Sequence, residues 1–347
     1  MKHYVGLDIS MKNTSVCIVD ETGKIVHEST VKTEPNDLAD VIEKTNLNVE
    51  LIGFESGSLG HYLAQGFKKR NLPAVCMDAR KLSPVLALRV NKTDKNDARG
   101  IADVLRVGMF TRVHDKPQEA IDRSAVLTMR RCIVNQRTDI KNHIRGILKT
   151  YGIRLGAIGA TKFSKAVKTR LEGVNSIVQS SIEDLLEIFE LLNEKITKMD
   201  LELLTASRKD LEVRLLMTIP GIGPITALTY KAEIFEPTRF KNSRTVGAYI
   251  GMTPTQYSSG ETQKQGRISR CGSSELRSLL NESAVVLLTR SQKWSKLKAW
   301  GLKLMRKKGL KKASMAVGRK LAVIMHRMLI DKKEFVYGEP PQNKKVA

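Results

Sequence analysis

Acidic residues occur at four positions with the spacing that a metal-dependent nuclease requires. Asp8 ends an apolar run at the start of the chain, and Glu55 ends a second apolar run. Asp94 and Asp97 lie three residues apart at the predicted start of a helix, so their side chains share one helix face. Carboxylates at strand ends and on a helix face can converge on Mg²⁺, an arrangement that cuts phosphodiester bonds. Carboxylates that close together repel each other, so they converge only if a cation lies between them.

The elements that carry these residues favour convergence. The first third of the chain alternates strands and helices. Strands are predicted over residues 3–8, 14–20, 24–31, 51–55 and 74–77, and helices over residues 38–45, 60–69 and 94–107. This order is that of the ribonuclease H fold, in which the first and fourth strands are neighbours, so Asp8 and Glu55 would meet beneath Asp94 and Asp97. The alternative for the last two is a helix start stabilised by the helix dipole.

The charge of the chain indicates its partner. Lys and Arg number 59 against 36 Asp and Glu, a formal net charge of +23, which is typical of proteins that bind nucleic acid. Membrane binding is the weaker alternative, because no apolar run reaches the roughly 18–20 residues of a spanning helix and no signal peptide opens the chain. The scattered cysteines and histidines argue against structural zinc and disulfides, and they indicate a reducing, cytoplasmic compartment.

Long helical periodicity begins after residue 115. Apolar residues recur at nearly heptad spacing from Ile182 to Leu203, which suits either an antiparallel helical hairpin or a coiled coil between subunits. The preceding helical stretch carries a row of basic residues, which we interpret as facing phosphates rather than as an ordinary polar face. The candidates are Arg130, Arg131, Arg137, Lys141 and Arg145.

A third region opens with the sequence Pro220-Gly221-Ile222-Gly223 between two predicted helices. Such a turn is typical of a helix-hairpin-helix, in which Gly221 and Gly223 let backbone N–H groups approach a phosphate. The alternative is a tight turn between helices. A polar loop over residues 253–261 follows and contains Ser258-Ser259-Gly260. Judged by residue type alone, these residues indicate a turn rather than a catalytic nucleophile.

Together these features resemble one family, the insertion sequence 110 transposases, described as RNA-guided bridge recombinases. The segment Lys92-Thr93-Asp94 followed by Asp97-Ala98-Arg99 is similar to the most recognisable part of the family's DEDD tetrad. The resemblance implies a RuvC-like domain over residues 1–115, a helical coiled-coil region for dimerisation and nucleic-acid binding over residues 116–210, a small, mostly helical transposase domain over residues 211–335, and a tail over residues 336–347.

The same resemblance implies the roles of the site residues. Asp8, Glu55, Asp94 and Asp97 would hold Mg²⁺, and Ser259, before Gly260, would be the nucleophile, with Ser258 as a one-residue alternative. The serine would form a phosphoserine link to DNA, in a site shared between subunits of a dimer or tetramer. Arg267 and Arg270 are candidate phosphate clamps.

The implied function is the exchange of donor and target DNA strands, guided by a noncoding RNA. The first alternative is a RuvC-like junction resolvase, which hydrolyses DNA without a covalent intermediate. The second is a nucleic-acid-binding scaffold without catalysis. Only the strand-exchange function requires a covalent protein–DNA adduct, so detecting one would distinguish it from both alternatives.

Overall fold

The computed structural model describes residues 1–88, 91, 93–260 and 262–338. Lys92, Glu261 and residues 339–347 of the predicted tail lie outside the described residues. The chain separates into two compact units, Met1–Lys116 and Pro117–Ala347. Within the described ranges, no helix is both long and apolar enough to cross a membrane.

The first unit is a five-stranded sheet with helices on both faces. Its strands are β1 (His3–Ile9), β2 (Asn13–Asp20), β3 (Ile25–Lys32), β4 (Val49–Glu55) and β5 (Ala74–Met77). Its helices are α1 (Pro35–Lys44), α2 (Gly60–Lys69), α3 (Ala79–Leu86) and α4 (Asp94–Arg106). The strands lie in the order β3-β2-β1-β4-β5, with β1 antiparallel to β2 and parallel to β4. This is the strand order of the ribonuclease H fold. The sequence pattern does not predict α3, because Pro84 within it usually breaks a helix.

The alternation of side chains along β1 assigns each face of the sheet to its helices. Val5 and Leu7 are fully buried in the core formed with α1 and α2. Gly6 points to the opposite face, where a Cβ atom would lie 2.1 Å from the carbonyl oxygen of Ala98 on α4. The backbone of α4 therefore rests directly on β1, at a position that only glycine can occupy.

The second unit begins with two long helices, α5 (Gln118–Thr150) and α7 (Ser176–Lys209), which pack against each other. They are antiparallel, because Arg130 pairs with Asp200 and Arg137 bonds Asn193. The hairpin alternative is therefore present within one chain, whereas a coiled coil between subunits remains a prediction. Helix α6 (Ala160–Lys168) lies in the connection between them, and its Phe163 is fully buried at the end of the hairpin.

The rest of the second unit is mostly helical. Its helices are α8 (Leu211–Leu216), α9 (Pro224–Ile234), a 3-10 turn (Pro237–Arg239), α10 (Thr245–Tyr249), α11 (Ser274–Thr289), α12 (Lys296–Lys308) and α13 (Leu310–Asp331). Its core includes Leu127 and Leu203 of the long helices together with Val213 of α8. The base of the helical hairpin thus shares a core with the C-terminal part, and the division after residue 210 stays a prediction.

The polar stretch expected to be a loop forms a two-stranded hairpin instead. Strand β6 (Pro254–Ser259) pairs antiparallel with β7 (Thr262–Ile268). Most of its side chains are exposed on both faces, so the sequence shows no apolar alternation. Polar composition therefore led to the wrong expectation for this segment.

Candidate active site and nucleic-acid interface

Asp8 and Glu55 lie side by side at the carboxyl ends of neighbouring strands. The parallel register of β1 and β4 pairs Leu7 with Phe54, so the two acidic residues come next on each strand. Adjacent strands are about 4.8 Å apart, and paired residues point to the same face. Both carboxylates are half-buried and line a cleft of about 420 Å³ whose other walls are residues 9–11 and 56–60. The sheet thus brings two of the four predicted carboxylates together.

The orientation of α4 decides where its acidic first turn lies. Arg99 of α4 binds Glu28 of β3, with Nη2 donating to Oε2 at 2.8 Å. This hydrogen bond outweighs the partial burial of Glu28 and lowers the pKa of its carboxyl. Arg106, at the other end of α4, packs against Gly23 in the turn between β2 and β3. Helix α4 therefore runs antiparallel to β1, and it begins at the edge of the sheet where β1 and β4 end.

Asp94 and Asp97 project from the sheet-facing side of α4. Each precedes by one turn a residue buried against the sheet, Ala98 and Ile101. At about 1.5 Å per residue, Asp94 lies about 7.5 Å beyond Arg99 along the helix axis, roughly the length of two strand residues. Both side chains therefore extend toward the edge that carries Asp8 and Glu55.

The helix-dipole interpretation of this turn also has support. Thr93 caps α4, with its Oγ1 accepting a hydrogen bond from the Asn96 N–H at 3.2 Å. Asp94 is exposed and Asp97 is half-buried, so both can interact favourably with the positive end of the helix. A stabilising role and a metal-binding role for this pair are compatible.

The described residues contain no group of three or more His, Cys, Asp or Glu side chains close enough to hold a metal ion. The four carboxylates are thus arranged around one edge without forming a closed cage. Mg²⁺ commonly uses one or two carboxylates and completes its shell with water and substrate phosphates. The pair Asp8 and Glu55, at an open cleft, fits an ion shared with a phosphodiester.

Ser259 lies at the tip of the β6–β7 hairpin. It pairs with Thr262 and precedes Gly260, whose φ of +54° suits the tight turn. Successive strand residues point to opposite faces, so Ser259 shares its face with Tyr257 and Lys264. All of these side chains are exposed. The sequence interpretation did not single out Lys264, which is the cation nearest to Ser259 in this register.

Ser258 occupies the opposite face of the hairpin, where Gln256 Nε2 donates to its Oγ at 3.1 Å. In the part of the chain that the structure describes, Ser259 makes no side-chain hydrogen bond. The two serines are therefore distinguished by their surroundings, and none of the described side chains in this hairpin activates Ser259 as a base would.

The two arginines predicted to bind a phosphate lie in the same hairpin as Ser259 or directly after it. Arg267 is in β7 beside an irregularity in the register, and Arg270 follows the strand with a φ of +57°. The backbone N–H of Arg270 donates to the Gly251 carbonyl at 3.1 Å, which fixes this unusual conformation. Both guanidinium groups are exposed and can reach a phosphate.

The two glycines expected to contact a phosphate have different surroundings. Gly221 has a φ of +92°, and a Cβ atom there would lie 2.6 Å from the Ser283 carbonyl of α11. Internal packing therefore explains this glycine. Gly223 has open space around it and begins α9 as its N-cap residue, so the phosphate contact remains a prediction for Gly223.

Several basic residues of α5 bind partners within the protein. Arg130 forms a salt bridge with Asp200 of α7, which neutralises its charge. Arg131 is half-buried, and its positive charge partly offsets the burial that raises the pKa of the Glu275 carboxyl. The sequence could not reveal this, because the partners lie about 70 or more residues away along the chain. Arg137, Lys141 and Arg145 instead bond neutral groups.

The structure adds a basic surface in the C-terminal helices. Residues 283–330 contain 13 Lys and Arg and no Asp or Glu. The turn between α12 and α13 concentrates five exposed cations, which are Arg306, Lys307, Lys308, Lys311 and Lys312. The absence of acidic residues over this stretch was the available signal for a surface that attracts phosphates.

Comparisons with known proteins agree with these features. A family model described as Transposase IS116/IS110/IS902 family matches residues 213–299. A second model, described as Transposase and belonging to the DEDD type of the IS110 group, matches residues 5–153. The two matches include the carboxylate edge and the serine hairpin, and together they span about two thirds of the chain.

Two individual proteins are similar to this chain in sequence, and one solved structure aligns with part of it. The transposase for insertion sequence element IS1111A of Coxiella burnetii is 29% identical over 339 residues, which are 96% of this chain and 91% of that protein. The pilin gene-inverting protein of Moraxella lacunata is 30% identical over 176 residues, 48% of this chain and 52% of that protein. The Thermus thermophilus RuvC structure aligns with 32% of this chain and 99% of its own, at 14% identity and a TM-score of 0.26.

Proposed function

The chain belongs to the IS116/IS110/IS902 family of transposases, enzymes that cleave and rejoin DNA, and we propose that it exchanges strands through a covalent link to Ser259. Asp8, Glu55, Asp94 and Asp97 would hold the Mg²⁺ that this chemistry needs. The observation that supports the proposal best is the pairing of Asp8 with Glu55 at one cleft, with the acidic turn of α4 directed toward them.

The carboxylates act by fixing charge at the scissile phosphate. Mg²⁺ bound there would polarise the phosphate and stabilise the leaving oxygen. The buried strands β1 and β4 fix the positions of Asp8 and Glu55, and the Arg99–Glu28 bond fixes α4. Electrostatic stabilisation is most effective when such groups are held in place before the reaction.

The serine step is a transesterification. The Ser259 Oγ–P bond forms and the P–O3′ bond breaks, so the hydroxyl loses a proton and the leaving 3′ oxygen gains one. One phosphoester replaces another, and a 3′-hydroxyl of a second strand can reverse the step without ATP. Lys264 and Tyr257 share the face of Ser259 and are positioned to contact the phosphate and a base.

The partners follow from charge and from the family. Donor and target DNA are the substrates, and the exposed cations at the α12–α13 turn, with Arg267 and Arg270, bind their phosphates. A noncoding RNA guides target choice, and the protein acts as a dimer or tetramer. The gene-inverting relative suits this scheme, because inversion also requires cutting and rejoining.

One observation favours a second candidate function. Because no described side chain bonds Ser259, a water molecule at the carboxylate edge could be the nucleophile. The protein would then be a RuvC-like endonuclease that hydrolyses DNA without a covalent intermediate.

Metal removal tests the carboxylate half of the proposal. Protein assembled with its RNA and DNA should lose cleavage in EDTA and regain it with Mg²⁺. Ca²⁺, which is larger and less strict in its geometry, should restore binding without comparable cleavage. Cleavage that persists in EDTA at the wild-type rate would contradict the role of these carboxylates.

A further inference from the structure

Three cations line a cleft at the end of the helical hairpin. Arg137, Lys141 and Arg145 follow one another at intervals of four residues on α5, so they occupy one face of the helix. The cleft has a volume of about 540 Å³ and is closed on its other side by the loop that leads into α6, including Ala157.

Among the described residues, the partners of these three positive charges are all neutral. Arg137 Nη1 donates to Asn193 Oδ1 at 3.3 Å, and Lys141 Nζ donates to the Ile158 carbonyl at 2.8 Å. Arg145 Nη2 donates to the Gly156 carbonyl at 2.8 Å. None of the three forms a salt bridge with any carboxylate that the structure describes.

Burial and the neighbouring charges both disfavour the charged form of Lys141, the middle cation of the three. Burial, followed by the charges of Arg145 and Arg137, lowers the pKa of Lys141. The free energy of the folded protein thus includes an unfavourable term for holding these cations together. An anion in the cleft would remove that term.

A helix start opens into the same cleft. Gly159 is the N-cap of the nine-residue helix α6, and both Gly159 and Ala160 line the cleft. No side chain caps this helix, and its first turn contains no acidic residue, so its backbone N–H groups are available to an anion. In addition, Arg145 Nε is buried and lacks a hydrogen-bond partner among the described residues.

We propose that this cleft binds a phosphodiester of a nucleic-acid backbone, held by Arg137, Lys141 and Arg145 and by the N-terminus of α6. Two guanidinium groups and an ammonium supply positive charge and several N–H donors for the acceptor oxygens of a phosphate. The proposal rests on the proposed function, and it gives the far end of the helical hairpin a defined contact with the DNA or the guide RNA.

A purely structural role predicts a different response to substitution. Lys141 and Arg145 also hold the loop of residues 155–158, so removing either would disturb the fold. Ala157→Asp avoids this difficulty because it places a carboxylate at an exposed position of the cleft wall. It should leave the thermal unfolding temperature unchanged or raise it, since it neutralises repelling cations, while competing with a phosphate for the cleft.

The experiment measures binding of the full-length protein to a labelled duplex DNA and to a labelled single-stranded RNA at several salt concentrations. Arg137→Gln and Ala157→Asp should each weaken binding to one of the two probes and reduce the salt slope by about 0.7–0.9 per lost phosphate contact. The probe that is affected identifies the source of the phosphate. Lys198→Gln, an exposed charge change on α7 outside the cleft, is the matched control.

Wild-type affinity and salt slope for both probes in both variants would overturn this inference, while leaving the proposed function intact. A drop in the control as large as in the cleft variants would also overturn it, since any surface charge would then serve equally. Failure of the wild-type protein to bind either nucleic acid would instead contradict the proposed function.

Discussion

The carboxylate edge of the first unit and the serine hairpin of the second unit are built in opposite ways. Asp8 extends from a strand whose Val5 and Leu7 are fully buried, and Gly6 between them touches the backbone of α4. Ser259 extends from a two-stranded hairpin whose side chains are mostly exposed. Carboxylates that must approach one another repel, so they need a rigid frame, whereas a neutral hydroxyl does not.

This difference suggests that the two regions contribute to the reaction in different ways. Two strands without an apolar face are weakly stable by themselves, so we expect the position of Ser259 to depend on what it binds. We therefore expect the carboxylate edge to be preorganised and the hairpin to be adjustable. Substitutions that disturb packing should therefore reduce stability in the first region, whereas substitutions in the hairpin should change chemistry with little effect on global stability.

The largest effect is expected for the carboxylates themselves. Asp8→Asn and Glu55→Gln keep the shape of each side chain but remove the charge that we propose binds Mg²⁺, so cleavage should fall by at least about 10²–10³-fold. Rates of Mg²⁺-dependent cleavage, with circular dichroism to check folding, measure this effect.

Asp94→Asn and Asp97→Asn distinguish between Mg²⁺ binding and stabilisation of the helix start as roles for the first turn of α4. If these residues bind Mg²⁺, cleavage should fall as far as with Asp8→Asn. If they only stabilise the helix start, cleavage should persist while the free energy of unfolding falls by about 0.3–1 kcal/mol. Near-normal activity of both variants would restrict the metal site to Asp8 and Glu55.

Gly6→Ala tests how closely α4 packs on β1. Its Cβ atom would lie 2.1 Å from the Ala98 carbonyl, so β1 and α4 must separate, at a cost of about 1–3 kcal/mol of stability or more. Gly57→Ala, in open space on the cleft loop, is the control and should change the unfolding temperature little. Equal unfolding temperatures for the two variants would contradict the close packing of α4 on β1.

A smaller effect is expected at the α12–α13 turn. The double variant Lys307→Gln, Lys308→Gln removes two exposed cations and should reduce the salt slope of DNA binding by up to about 1.8, if each contacts one phosphate. The double variant Lys195→Gln, Lys198→Gln makes the same charge change on α7. An equal loss of affinity in both would show that net charge alone, rather than this surface, attracts DNA.

A small effect on the global unfolding temperature is expected at the hairpin tip. Gly260 has a φ of +54° with open space around it, so Gly260→Ala strains only the turn, by about 1–2 kcal/mol. Since the hairpin lies outside the apolar cores, the global unfolding temperature should stay nearly constant while strand exchange slows. A fall in unfolding temperature comparable to that of Gly6→Ala would remove the contrast between the regions.

The contrast also explains what the sequence could predict. Apolar runs ending in Asp8 and Glu55 identify buried strands, and the order of elements makes those strands neighbours. The hairpin around Ser259 has no such pattern, because neither of its faces is buried. Its serine was identified through family resemblance alone, and its strands only through the structure.

Contacts between segments that are distant along the chain could not be predicted from the sequence. The charge of Arg130 suggests a phosphate contact until Asp200 is seen beside it. Gly221 matches a phosphate-binding turn until the carbonyl of Ser283 is found facing it. In both cases the partner lies too far along the chain for periodicity or spacing to reveal it.

The most direct test of the proposed exchange is the covalent adduct between protein and DNA. Labelled DNA is incubated with the RNA-loaded protein and Mg²⁺, and denaturing gels then separate linked from free DNA. We predict an adduct with the wild-type protein and with Ser258→Ala, and none with Ser259→Ala, although Ser259→Ala still binds DNA because one hydroxyl contributes about 1 kcal/mol at most. Cleavage without an adduct in all three proteins would contradict the account and identify a hydrolase instead.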